Sequence, residues 1–115
     1  MWNKKNNQDI ETLYLSEYSD YLHTQEMGAL ARTEIAGYWE GSRYIICNFD
    51  DVHGMTGVFA DEAFGVMFME KGSKEFVEKI RFQNLNDLIQ AILKSTLYER
   101  YERMRGRGDW ENPGF

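Results

Sequence analysis

The chain has 115 residues, with 13 Lys or Arg against 19 Asp or Glu, and its formal net charge is −6. Hydrophobic residues make up 43% and aromatic residues 15%, which suits one packed domain and argues against a disordered chain. The longest apolar stretch, 63–69, is far shorter than the ~20 residues of a membrane span, and from the polar first residues we expect no secretory signal. These features predict a cytoplasmic protein without a membrane segment, and the acidic charge argues against nucleic acid as a partner.

The first half of the chain predicts an arm, a strand, a helix and a second strand. Residues 1–11 are polar and predict a flexible N-terminal arm, and a short strand follows from Thr12. Thr24 is placed to cap a helix that extends to about Trp39. The run RYIICNF at 43–49 is β-branched and aromatic, which is typical of a strand buried on both faces in the middle of a sheet.

The second half predicts a helix, a strand and a last helix. Residues 58–70 are apolar nearly all round, which predicts a core helix, with an adaptable partner surface as the alternative. A strand near a sheet edge is predicted over 75–83, followed by a helix that Asn84 caps and that ends at about Met104. Residues 105–115 predict a C-terminal tail. The order predicts an α/β domain over 12–104, with a mostly parallel or mixed sheet of about three or four strands and about three helices.

The segment that follows the predicted central strand gathers side chains that can perform chemistry. These residues are Asp50, Asp51, His53, Thr56, Asp61 and Glu62. Four of them, namely Asp50, Asp51, His53 and Glu62, suit a metal- or nucleotide-dependent enzyme or a ligand-binding domain, because carboxylate and imidazole groups bind divalent ions. The alternative is a solvated strand end with a helix cap, which needs no ion. We therefore predict no metal site and no cofactor, and keep the enzyme as the alternative function.

Other catalytic arrangements are not indicated. Cys47 lies inside the predicted central strand, where a thiol behaves as a small hydrophobic group. Gly54 and Gly57 lack the lysine and the spacing of a phosphate-binding loop. The basic residues near the end of the last helix fit a helix dipole better than they fit nucleic acid, and a protein contact there is the alternative.

The stretch YIICNFDDVHGMTGVFADEAFG, which starts at Tyr44, resembles the STAS-like bacterial domain of unknown function. The matching residues are Asn48, Phe49, Val52, Phe59, Ala60, Asp61, Glu62 and Gly65. The upstream helix carries Thr24, Gly28 and Arg32, which resemble the T-x-x-x-G-x-x-x-R pattern of this family. The resemblance covers about residues 12–104 and is most specific in the F-A-D-E element.

The resemblance implies a fold similar to that of anti-sigma-factor antagonists. These small α/β domains bind histidine-kinase-like (GHKL) ATPases and are switched off when phosphorylation adds charge at the start of a helix. Val58 stands at the phosphoserine-like position and has no hydroxyl, so Thr56 is the candidate phosphorylation site in this loop. Asn48 replaces the strand aspartate of the family.

The function implied by the resemblance is a non-enzymatic regulatory module of bacterial signalling that binds a partner protein, with a histidine-kinase-like ATPase as the partner. The predicted partner-binding residues are Asp50, Asp51, His53, Thr56, Val58, Phe59, Asp61 and Glu62. Asp61 and Glu62 are expected to accept backbone N–H bonds from the loop or to present charge to the partner. A homodimer through the apolar helix or the strand edge near 75–82 is a further alternative.

Overall fold

A computed structural model describes residues 9–104, so the predicted tail at 105–115 and most of the predicted arm lie outside the described residues. The strands are β1 Ile10–Tyr14, β2 Tyr21–Leu22, β3 Tyr44–Asn48, β4 Gly54–Met55 and β5 Ile80–Gln83. The helices are α1 Gln25–Tyr38, α2 Gly57–Ala60, α3 Val66–Lys71, α4 Ser73–Lys79 and α5 Asp87–Arg103. No helix between residues 9 and 104 is long and apolar enough to cross a membrane.

The main sheet has three parallel strands in the order β1-β3-β5, and β2 pairs with β4 in a separate two-stranded parallel sheet. This arrangement confirms the predicted α/β class with a mostly parallel sheet, and it places β3 in the middle and β5 at an edge. Each crossover of the main sheet moves one strand further in the same direction. Right-handed crossovers of that kind put their helices on one face of the sheet.

The two faces of the main sheet differ in burial. Leu13, Ile45 and Cys47 are fully buried on the inner face, whereas on the outer face Ile46 is half-buried and Tyr14 is 46% exposed. The prediction that the central strand is buried on both faces is therefore wrong. The amino-acid pattern of β3 is apolar on both sides, but the crossovers place the helix layer over only one of them.

The centre of the helix layer is one continuous helix over 57–71, which consists of α2, a π-helical segment Asp61–Gly65 and α3. We call it the central helix. Phe59, Phe64 and Phe68 are fully buried in it, and the Phe64 ring packs on Phe82 of β5 with 5.2 Å between ring centroids. The core interpretation of this apolar helix is confirmed.

Two predictions near the last strand are wrong. Residues 75–79 belong to helix α4, so only the second half of the predicted strand is extended. Phe76 of α4 is buried and packs its ring on Phe68 at 5.3 Å, a tertiary contact that favours the helix. Asn86, not Asn84, caps α5, because its Oδ1 accepts the Ile89 N–H at 2.8 Å. The φ of Asn84 is 61°, which is unsuited to an N-cap residue.

Candidate functional site

The segment 50–58, which we call the acidic loop, follows β3 and includes the first two residues of the central helix, Gly57 and Val58. The side-chain oxygen of Asn48 accepts the Asp50 backbone N–H at 2.9 Å and the Asn84 side-chain amide at 2.9 Å. Asp51 has a φ of 64°, a left-handed conformation that Asp tolerates better than most residues. Asn48 thus ties together the turns that follow β3 and β5.

Main-chain hydrogen bonds fix the rest of the acidic loop. The His53 N–H donates to the Asp20 carbonyl at 2.8 Å, and the Thr56 N–H donates to the Leu22 carbonyl at 2.9 Å. On the other side, the Asn86 amide donates to the His53 carbonyl at 3.2 Å. The loop is therefore held between β2 and the start of α5, although most of its side chains face solvent.

Thr56 caps the central helix, as its position in the sequence predicts. Its Oγ1 accepts the Phe59 N–H at 3.2 Å and donates to the His23 carbonyl at 3.2 Å. Phosphorylation of Thr56 would remove the proton that the hydroxyl donates to the His23 carbonyl, and it would place a phosphate at the acceptor of the Phe59 N–H. The role of Thr56 as a phosphorylation site stays a prediction.

The exposed surface at this end of the sheet is larger than the acidic loop. Asp50, Asp51 and His53 are exposed, and Val58 in the first turn of the central helix is 58% exposed. Beside the loop, the ring of Tyr21 (49% exposed) stacks on the ring of His23, with centroids 5.0 Å apart and planes 7° apart.

The sequence prediction missed this stacked pair of aromatic rings. The β2–β4 pairing that brings Tyr21 beside Gly54 is a long-range contact between two-residue strands. Such short strands carry no periodic signal in the sequence. Only the two-residue spacing of Tyr21 and His23, which puts both rings on one side of an extended chain, could have suggested the pair.

The residues of the F-A-D-E element do not belong to the exposed surface. Phe59 is fully buried, so the structure removes it from the predicted contact residues. Both carboxylate oxygens of Asp61 accept hydrogen bonds from the Arg100 guanidinium at 2.7 Å. The hydrogen bond from Arg100 is the main reason that the pKa of Asp61 is lower than usual, and partial burial opposes this shift.

The Glu62 side chain points to a different side of the central helix and binds side chains of α1. The Arg32 guanidinium donates to the Glu62 carboxylate at 2.9 Å and also to the Glu62 main-chain carbonyl. The Gln25 amide donates to the same carboxylate at 3.3 Å. The prediction that Asp61 and Glu62 accept N–H bonds of the loop is wrong, since these carboxylates bind side chains of α5 and α1.

The upstream T-x-x-x-G-x-x-x-R residues meet this same part of the central helix. Thr24 caps α1 by accepting the Met27 N–H at 3.0 Å. A Cβ on Gly28 would lie 2.8 Å from the Glu62 Cβ and 3.0 Å from the Phe59 carbonyl oxygen. Glycine at 28 therefore lets α1 approach close enough for Arg32 to reach Glu62. The T-x-x-x-G-x-x-x-R residues of α1 and the F-A-D-E residues of the central helix therefore form one packing unit.

The structure does not assemble the four-residue metal site of the alternative enzyme. Glu62 is held by Arg32, away from the exposed Asp50, Asp51 and His53. Within residues 9–104, no group of three or more His, Cys, Asp or Glu side chains could hold a metal ion. Cys47 is fully buried, and burial raises the pKa of its thiol, which disfavours the nucleophilic thiolate.

Comparison with known proteins supports a family and nothing finer. Residues 34–90 match the family model of the STAS-like domain of unknown function (DUF4325). This range runs from the second half of α1 to the first turn of α5 and includes the acidic loop and the F-A-D-E element. No curated protein and no solved structure matches the chain.

Proposed function

On the premise that residues 34–90 make this chain a member of the STAS-like domains of unknown function, we propose a non-enzymatic regulatory module that binds a partner protein. The contact surface is the acidic loop together with the adjacent Tyr21–His23 pair. The partner class we propose is a histidine-kinase-like ATPase, as the resemblance to anti-sigma-factor antagonists implies.

One observation carries the proposal: the acidic loop has a fixed main chain and exposed side chains. Hydrogen bonds to Asp20, Leu22 and Asn86 fix its backbone. A surface that is already ordered loses little conformational entropy when a partner binds, so more of the contact energy appears as affinity. Tyr21 supplies an exposed aromatic ring, a residue type enriched at interface hot spots, and Val58 adds exposed apolar area beside it.

The proposal is tested by partner capture with the native host's proteins, comparing the unmodified chain with Val58→Asp. We expect the unmodified chain to retain an ATPase and Val58→Asp to retain at least about tenfold less, because a loss of 1.4 kcal/mol changes affinity tenfold. The matched control is Leu30→Asp, since Leu30 is 61% exposed on α1, outside the acidic loop. Its capture should equal that of the unmodified chain.

Two results would contradict the proposal. The unmodified chain could retain no protein, or Val58→Asp could retain as much as Leu30→Asp does. A retained protein that lacks an ATPase domain would overturn the partner class and leave the interaction module standing.

A further inference from the structure

A groove extends from the acidic loop along α5. A cavity of about 390 Å³ lies between the first turns of the central helix and α5. Gly57 and Asp61 line it from the central helix, and Ile92, Ser95 and Glu99 line it from α5. Because Gly57 belongs to the acidic loop and also lines the cavity, the groove continues the contact surface proposed above.

The cavity is lined by α5 residues between 91 and 99, and Leu88 extends the same face of the helix by one turn towards the acidic loop. Leu88, Ile92, Ser95 and Glu99 are spaced by four, three and four residues, so they lie on one stripe about 16 Å long. Leu88 is 58% exposed, Ser95 and Glu99 are exposed, and Ile92 is half-buried. The stripe is distinct from the core face of α5, where side chains such as Leu93 are fully buried.

Small side chains leave room for another backbone in this groove. A Cβ built on Gly57 would meet no other atom within 4 Å. Ala91 and Ser95 form the α5 wall opposite Gly57 and are short and exposed. Packed helices approach to 8–10 Å between axes, with the closest distances where small side chains meet. The shape therefore suits a helix lying along α5.

The groove is apolar near the acidic loop and has the exposed carboxylate of Glu99 at its other end. Leu88 and Ile92 supply the apolar part. The two charged side chains that line the cavity, Asp61 and Glu99, are both carboxylates. Arg100 holds both oxygens of Asp61 and neutralises it, so Glu99 supplies the negative charge at this end. A complementary segment carries an apolar anchor followed by a cation.

We propose that this groove receives an amphipathic helix of the partner protein, about three turns long. Its apolar side chains pack against Leu88 and Ile92, and a Lys or Arg one or two turns further on faces Glu99. This is the helix-in-groove mode of recognition, in which the bound helix contacts the groove through its residues at i, i+3, i+4 and i+7. The inference rests on the proposed function and names the part of the partner that binds.

Site-specific photo-crosslinking in the native host tests the inference. So that Ala91 and Ser95 stay small, a benzoylphenylalanine residue replaces Leu88 or Tyr98, two large exposed side chains on α5, or His53 in the acidic loop, with Ala36 on α1 as the control. All four positions are exposed, so the substitution leaves the core intact. Mass spectrometry then identifies the crosslinked protein and the crosslinked segment.

We expect the groove positions 88 and 98 to crosslink to the same protein as His53, within one amphipathic helical segment that carries Lys or Arg, and Ala36 to give no crosslink. Crosslinks at His53 without crosslinks in the groove would overturn the inference and leave the proposed function intact. A groove crosslink to an acidic or extended segment would also overturn it. No crosslink at any of the loop and groove positions would overturn the proposed function as well.

A charge exchange tests the role of Glu99 independently. Glu99→Lys should lower the groove crosslink yield about tenfold, and changing the facing Lys or Arg of the partner to Glu should restore it. Rescue of this kind requires a direct charge pair, because a merely structural effect of Glu99→Lys would not be repaired from the partner. An unchanged yield with Glu99→Lys would contradict the charge assignment and with it the proposed occupant.

Discussion

The acidic loop (50–58) and the turns that follow it (59–65) are neighbours in sequence but are held in place differently: the loop by its main chain and the turns by their side chains. In the acidic loop the main chain is bonded on both sides, while Asp50, His53 and Val58 remain exposed. In the following turns the side chains themselves are held, with Phe59 in the core and Asp61 in an arginine pair. Asp50 and Asp61, only eleven positions apart, thus differ in their surroundings: the first is exposed, and the second is paired with a side chain of α5.

Helix geometry explains why Asp61 and Glu62 separate. Consecutive side chains of a helix point in different directions, about 100° apart in an α-helix, so adjacent carboxylates can bind side chains of two different helices. Asp61 faces Arg100 of α5, and Glu62 faces Arg32 of α1. The pair of carboxylates therefore fastens the central helix to the two helices beside it.

The largest expected change in the free energy of unfolding comes from alanine substitutions at two adjacent residues, one on each side of the boundary between the two regions. Phe59→Ala should lower the free energy of unfolding by about 3–5 kcal/mol, because it leaves a cavity in the core. Val58→Ala, one residue earlier and 58% exposed, should change it by less than about 0.5 kcal/mol. Urea denaturation followed by circular dichroism measures both. Equal losses would mean that the boundary between loop and core is misplaced.

A smaller effect is expected from Gly28→Ala. The new methyl group would overlap the Glu62 Cβ and the Phe59 carbonyl oxygen, so α1 must move and stability should fall by about 1–3 kcal/mol. Gly37→Ala in the same helix is the control, since a Cβ there meets no atom within 4 Å. It should be neutral or stabilise by up to about 1 kcal/mol. Thermal unfolding of the two variants compares them, and a stabilised Gly28→Ala would refute the close approach of α1.

The smallest of the expected effects concerns Asp61 and depends on pH. Arg100 lowers the pKa of Asp61 in the folded protein, so its stabilisation is complete above the ordinary carboxyl pKa of about 3.9 and is lost as pH falls through the folded-state pKa. Asp61→Asn should cost on the order of 1 kcal/mol at pH 7, and the difference should shrink towards pH 2. Urea midpoints over this pH range measure it.

Asp50→Asn provides the matched control for the Asp61 series, because Asp50 is an exposed carboxylate of the acidic loop. Its urea midpoint should follow that of the unmodified chain at every pH. If Asp50→Asn and Asp61→Asn give the same dependence of the urea midpoint on pH, then the ion pair of Asp61 does not account for the difference between the acidic loop and the turns that follow it.

The fold was predictable where the local pattern and the tertiary environment agree. The apolar runs of β3 and the central helix, and the hydroxyl caps Thr24 and Thr56, are found as the sequence predicts. The prediction failed at α4, where a short segment around Phe76 takes its structure from packing on Phe68. It also failed at the outer face of the sheet, because strand composition does not reveal which face the crossovers cover.

The features of the candidate site also divide into those that the sequence predicts and those that only the structure reveals. The sequence by itself determined that this segment is a strand-to-helix loop with an excess of acid and a capping threonine, because these features depend on residues close together in the chain. Only the tertiary structure decided which side chains are accessible, since Arg32, Arg100 and the Tyr21–His23 pair reach the segment from 30 or more residues away. Contacts over such distances require the complete fold, and they separate the residues that can meet a partner from those that hold the domain together.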